Sequence, residues 1–224
     1  MKKILSNILS ILFISISLIS SIIFYTNNIN FYKDMHLKND ISNKLDISYN
    51  DLIDVNINLL DYLNNKRDNL DMSYIIDNTN IEFFNNKEKL HMIDVKNIYN
   101  IFLTINYILI ILFIIILIYL IFNKDYYLIF NSYNNILIKF IIVLIILILL
   151  ILIDFQSIWV LLHKLFFTND LWLLNPYTDR MIMMYPLNFF YNIVIRILLM
   201  FIIINISMLK LSRRYIKIYL KERV

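Results

Sequence analysis

Apolar and polar stretches alternate along this chain on a scale set by membranes rather than by globular cores. Predominantly apolar runs cover Ile4–Phe24, Ile101–Phe122, Ile136–Ile153 and Leu187–Met208. A helix crosses a bilayer with about 20 apolar residues rising about 1.5 Å each, so each run predicts a spanning helix. The third, broken only by Lys139 near its start and Asp154 at its end, is expected to extend toward Trp159. The spans then cover 4–24, 101–122, 136–156 and 187–208. They leave two long mixed segments (25–100 and 157–186), a connection at 123–135 and a tail at 209–224.

Finer periodicity organises the mixed segments. Leu52, Val55, Leu59, Leu60 and Leu63 recur at helical spacing, with Ser48 and Asp51 placed as a capping start and Asn64–Asn69 as a stop. A further helix is expected to start near Asn85-Asn86 and to run without a breaker through Tyr99 into the second span. A connection this long between helices implies a subdomain of its own. In the second segment Asn175-Pro176 marks a turn, and Thr178 is expected to cap a short helix stopping at Pro186. The aromatic content of that segment predicts that it dips into the membrane interface. The fold class is an all-α membrane protein, a single membrane domain over 1–224 with four transmembrane helices and a helical extracytoplasmic subdomain at 25–100.

Composition narrows the chemistry. The chain has 224 residues, 60% of them hydrophobic, and contains neither cysteine nor glycine. Thiol nucleophiles, disulfides, Gly-rich phosphate loops and Gly-x-Ser-x-Gly elbows are therefore excluded. Lacking glycine, the spans must pack through Ile and Leu ridges with occasional Ser and Asn contacts. The first run, opening Met1-Lys2-Lys3, is read as an uncleaved signal anchor.

Charge sets orientation. Lys2, Lys3, Lys124 and Lys139, with the cluster from Lys210 through Arg223, fall on one side of the spans, and acids from Asp34 through Asp77 to Asp94 dominate 25–100. The positive-inside rule then puts both termini in the cytoplasm and 25–100 outside. The net charge of +4 reflects this orientation and not nucleic-acid binding.

Candidate chemistry rests on histidine, the side chain best suited to proton transfer near neutral pH. His91 precedes the second span and His163 follows the third, so a helical hairpin brings both out on one face. His91 with Asp94 can equally be a surface pair, and His163 beside Phe166 and Phe167 an interfacial residue. His36, without a supporting constellation, is read as structural. Trp172 taken alone is a belt anchor, and Arg196, midway along the fourth span, pairs most simply with Asp154. No histidine spacing suits a metal. A non-catalytic membrane adaptor, binding a partner through its outer helices, is the rival from another class.

The combination is more specific than its parts. Leu90-His91-Met92-Ile93-Asp94-Val95 closes the long segment. His163-Lys164-Leu165-Phe166-Phe167, Trp172, Asn175-Pro176, Asp179 and Tyr185-Pro186-Leu187-Asn188-Phe189-Phe190 lie between the last two spans. This set resembles the lipoprotein intramolecular transacylase (Lit) family of Gram-positive bacteria. The resemblance implies transfer of the sn-2 acyl chain of a diacylglyceryl-cysteine to that cysteine's free α-amine. The product is an N-acyl, S-monoacylglyceryl (lyso) lipoprotein, the substrate a membrane-held lipoprotein, and no cofactor or metal is needed. The family's histidine pair carries over to His91 and His163, with Asp94, Trp172, Asp179 and Arg180 as supporting positions. Asp94 is expected to orient His91, and the second histidine to stabilise the oxyanion, with the order of the two roles open.

Overall fold

The computed structural model describes residues 1–76 and 79–222. Asp77 and Arg223, which entered the charge pattern, lie outside the described residues. Helices α1 (Lys2–Thr26), α2 (Ile29–Lys38), α3 (Ile41–Leu45) and α4 (Tyr49–Leu63) come first. A two-stranded antiparallel hairpin follows, β1 (Ser73–Ile76) with β2 (Thr79–Glu82), pairing Ser73 with Glu82 and Ile76 with Thr79. The chain continues through α5 (Asn86–Phe122), α6 (Tyr126–Ile153), α7 (Phe155–Phe166), α8 (Arg180–Met184) and α9 (Leu187–Lys221). Among the described residues, α1, α5, α6 and α9 are long and apolar enough to cross a membrane. The protein is a multi-pass membrane protein.

Two compact units divide the chain. The first comprises 1–23, 102–155 and 195–224, the second 24–101 and 156–194. The first unit buries little of its apolar surface. Ile111, Ile115, Ile142, Val143 and Ile203 are all more than half exposed, as side chains facing lipid must be. Its inner contacts include Leu9, Leu120 and Ile129, with Leu5 and Phe113 against them. A polar seam runs beside them. Asn205 Nδ2 donates to Ser17 Oγ at 3.0 Å, and the Tyr133 hydroxyl donates to Asn205 Oδ1 at 3.0 Å. Ser212 Oγ donates to Asn134 Oδ1 at 2.6 Å. These are the Ser and Asn contacts that a glycine-free bundle requires.

The helix over the third apolar run does not continue unbroken toward Trp159. It stops at Ile153, Asp154 leaves helical geometry (φ −152°, ψ 82°), and α7 begins afresh at Phe155. The 123–135 connection shrinks to Asn123–Asp125, because Tyr126–Asn135 already belongs to α6. Lys124 makes that tight turn in the left-handed region (φ 56°). The fourth span and basic tail form one helix.

In the second unit the stripe Leu52, Val55, Leu59, Leu60 and Leu63 is buried. Ser48 caps α4, its Oγ accepting from Asp51 N at 3.1 Å while donating to the Asp51 carboxylate at 2.7 Å. Asn64 closes α4, and Asn65 turns left-handed at φ 59°. His36 is wholly inside this unit, 1% exposed, with Nε2 3.0 Å from Asn56 Oδ1. The Tyr185 hydroxyl donates to the same oxygen at 2.7 Å. The β-hairpin departs from an all-helical subdomain. Its strands have four residues each, too short for a period-two pattern to stand out in the sequence.

Candidate active site

The second unit assembles the site from α5, α7 and the segment after α7. Helix α5 starts with a reciprocal box. Asn85 Oδ1 accepts from Glu88 N at 3.0 Å, and Glu88 Oε2 accepts from Asn85 N at 2.8 Å. Glu88 is 1% exposed, and its other oxygen accepts from Met181 N at 2.6 Å, which ties the start of α8 to α5. One turn on, His91 shares the Glu88 face. It precedes the apolar run from Ile101, among Lys87, Asp94 and Lys96.

His163 sits in the last turn of α7. Its ring lies 6.4 Å from that of His91, the planes 28° apart. Aromatic rings enclose the pair. Phe167 is 5.1 Å from His91 and 5.6 Å from His163, while Trp159 and Trp172 are 4.8 and 5.0 Å from His163. Phe190 stacks on Trp159 at 4.2 Å. Trp159 and Phe167 were not expected as site residues. Their signal was present, since Trp159 lies four residues before His163 and Phe167 four after, the spacing that puts side chains on one helical face.

Hydrogen bonding distinguishes the imidazoles. His163 Nδ1 lies 2.7 Å from the Trp159 carbonyl oxygen. A carbonyl only accepts, so Nδ1 carries the proton and the neutral ring keeps its lone pair on Nε2. His91 Nδ1 is buried without a hydrogen-bond partner. Burial above all, with the neighbouring His163 and Lys87, holds the His91 pKa down to about 4 against the opposing charge of Asp94. Burial also depresses His163, opposed by the hydrogen bond to Trp159. Near neutral pH the pair is uncharged.

The remaining expected site residues act elsewhere. Asp94 accepts from Asn169 Nδ2 at 2.9 Å, which links α5 to the segment carrying Trp172. Its carboxylate makes no bond to the open His91 Nδ1. Lys87 Nζ donates to the Leu173 carbonyl and lies 4.0 Å from Asp179. Asp179 is buried and accepts from Asn85 Nδ2, Asn175 N and Thr178 Oγ1 at 2.9, 2.7 and 2.8 Å. Burial works against ionisation, yet these bonds and Lys87 hold its carboxyl below the usual value. Asp179, not Thr178, occupies the N-cap position of α8, and it spends its oxygens on the preceding turn. Arg180 Nη1 donates to the carbonyls of Glu82 and Phe83, both at 2.9 Å. The structure thus brings His91, His163 and Trp172 together. Asp179 and Arg180 instead fasten the 167–181 segment to the start of α5 and to β2. Among the described residues no three His, Asp or Glu side chains form a metal-holding group.

Comparison with solved structures finds the same fold in the lipoprotein intramolecular transacylase Lit of Bacillus cereus. The TM-score is 0.79 at 24% identity, covering 100% of this chain and 98% of that one. Two variants of the same Bacillus cereus protein, with a histidine replaced by alanine or by arginine, match at TM-scores of 0.77 and 0.76. Both are 24% identical and cover 100% of this chain, with 96% and 94% of theirs. No curated protein sequence matches the chain. The family model described as lipoprotein intramolecular transacylase Lit matches residues 7–190. That match takes in α2 to α8, both imidazoles and every residue around them, and the chain accordingly belongs to the Lit family.

Proposed function

We propose that the chain is an acyltransferase that moves the sn-2 acyl chain of a diacylglyceryl lipoprotein onto the α-amine of the same N-terminal cysteine. The observation that carries this reading is the pair of neutral imidazoles 6.4 Å apart inside a ring of aromatic side chains. In this reading His163 is the base. The α-ammonium, with a pKa of about 7.7–8.0, releases a proton to solvent near that pH, and the neutral amine nitrogen attacks the ester carbonyl carbon while the free Nε2 of His163 takes one of its remaining protons. The oxyanion that forms takes a hydrogen bond from His91, kept neutral by burial and thus holding one N–H to give. Collapse breaks the bond to the sn-2 oxygen. That oxygen receives the proton from the His163 imidazolium, leaving an amide and a free hydroxyl.

Nucleophile and ester belong to one molecule, so the enzyme has mainly to fold the substrate. Orientation of that kind can supply up to about 7–11 kcal/mol. Trp159, Phe167 and Trp172 give the glyceryl and acyl groups a surface to fold against and exclude water from the amine. Charge asymmetry supports placing this site outside the cell, with both termini in the cytoplasm.

The direct test is mass spectrometry of lipoprotein N-terminal peptides from cells with and without the gene. N-acyl, S-monoacylglyceryl peptides appear only with it. Unchanged diacylglyceryl peptides with a free amine in both would refute the activity.

A further inference from the structure

We propose that Trp172 is a catalytic residue of the acyl transfer, its indole face stabilising the positive charge that His163 carries between taking the proton and returning it. The proposal rests on His163 being the base of the reaction described above.

A base that takes a proton inside an aromatic enclosure needs something to offset the charge it acquires. Histidine bases commonly lean on a carboxylate at the second ring nitrogen. Here that nitrogen, Nδ1, is spent on the Trp159 carbonyl. The charged side chains around the pair are committed elsewhere or turned to solvent. Asp94 accepts from Asn169, and Lys87 holds the Leu173 carbonyl and Asp179. Lys164 and Asp170, on the same stretch as His163, are exposed. The titratable group that faces His163 is His91, itself uncharged near neutral pH.

What His163 has instead is tryptophan. The chain contains two, with ring centres 4.8 Å (Trp159) and 5.0 Å (Trp172) from the imidazole. Their attitudes differ. Trp159 stands at 68° to the imidazole, edge to face, while Trp172 is tilted by only 36° and is nearer to stacking. The face of an indole carries the negative part of its quadrupole and attracts a cation within about 6 Å of the ring centre. A neutral imidazole gains little from that face, and an imidazolium gains much. The contact therefore favours the charged state on the reaction path over the resting state, which is what lowers a barrier.

Two ties hold the ring in place. Lys87, His91 and Asp94 lie at i, i+4 and i+7, on one face of α5. Through Asn169 and Leu173 the loop is fastened to that face on both sides of Trp172. Within the loop, Leu171 N donates to Asn169 Oδ1 at 3.1 Å and Leu174 N to the Trp172 carbonyl at 2.9 Å.

Fluorination tests the charge of the ring with little change in its shape. Mono-, di- and trifluorotryptophan are delivered to position 172 alone by a suppressor tRNA in cell-free synthesis, each fluorine weakening the negative face. Two quantities are read in lipid nanodiscs. One is the His163 pKa, by NMR of ring-labelled histidine, the signal being assigned by its loss in His163→Asn. The other is the rate of transfer on a synthetic diacylglyceryl lipopeptide, above the pKa of its amine. Both should fall stepwise with fluorine number, by about one pH unit and about tenfold over the series. A flat pKa would make Trp172 an apolar wall and overturn the proposal. A falling pKa with a flat rate would overturn it too, by taking the face out of the reaction. Absence of transfer even with ordinary tryptophan would overturn the acyl-transfer reading and the catalytic role with it, while the titration reads the ring contact by itself.

Discussion

At the scale of single residues, the two imidazoles carry distinct expectations. Replacing His163 with alanine removes the base, and His91→Ala removes the oxyanion donor. Each should lower lyso-lipoprotein formation by about 10²–10⁴-fold while the protein stays folded and inserted. A quantitative assay on membranes showing wild-type rates for both variants would refute the assignment. Acidity gives a second reading of the same groups. Burial depresses both pKa values, so the neutral base persists down to pH below the ordinary histidine value of about 6.5. The acidic limb that the base adds to the rate profile, beyond the amine's own at about 7.7–8.0, should lie under it. The same shifts bear on stability. Unfolded histidines bind protons that the folded ones resist, so acidification favours unfolding. For His91 the loss begins near pH 6.5 and is complete near its folded value of about 4. A melting midpoint unchanged across that window would contradict the burial. His36 behaves differently. It makes no part of the site but is 1% exposed and bonded to Asn56, so His36→Ala should cost about 2–4 kcal/mol of stability, read as a lowered melting midpoint.

At the scale of elements, Glu88 connects the start of α5 to that of α8 by accepting from two backbone N–H groups. Glu88→Ala leaves both donors without their carboxylate and should cost about 3 kcal/mol. Limited proteolysis checks it, with faster cleavage between 167 and 180 expected. The element scale also shows what the sequence alone makes legible. Span positions follow from run length, and the α4 stripe from its period. The histidine pair stood out because cysteine and glycine are absent. Less visible was the break at Asp154, since a single acid ending an apolar run does not distinguish a stop from a kink. Glu88 could be read as a capping residue from Asn85-x-x-Glu88, but not as a partner of Met181, 93 residues away. Asp94 was legible as a neighbour of His91 and not as a partner of Asn169, because helical spacing says nothing of what approaches from another segment.

At the scale of the whole molecule, membrane orientation is the property that other expectations depend on. Single cysteines at Asn65 and Lys124, probed with an impermeant thiol reagent on intact cells, should separate cleanly. Asn65→Cys should be labelled and Lys124→Cys protected until the cells are opened. The reverse pattern would put the histidines on the cytoplasmic side. The long helices make this arrangement economical. Helix α5 carries His91 and a candidate span without interruption, and α9 joins the last span to the basic tail.

The left-handed turns have a consequence for how this protein can be improved. Asp40, Asp46, Asn65 and Lys124 hold φ between 51° and 59° in a chain that owns no glycine. Asparagine and aspartate tolerate that region, but a lysine there carries a steric cost of about 1–2 kcal/mol that glycine avoids. A chain built from so restricted an alphabet leaves stability unclaimed at places remote from its chemistry. Lys124→Gly should raise the melting midpoint with the rate of acyl transfer unchanged. An engineer wanting a sturdier enzyme can begin with the residue type this sequence never uses.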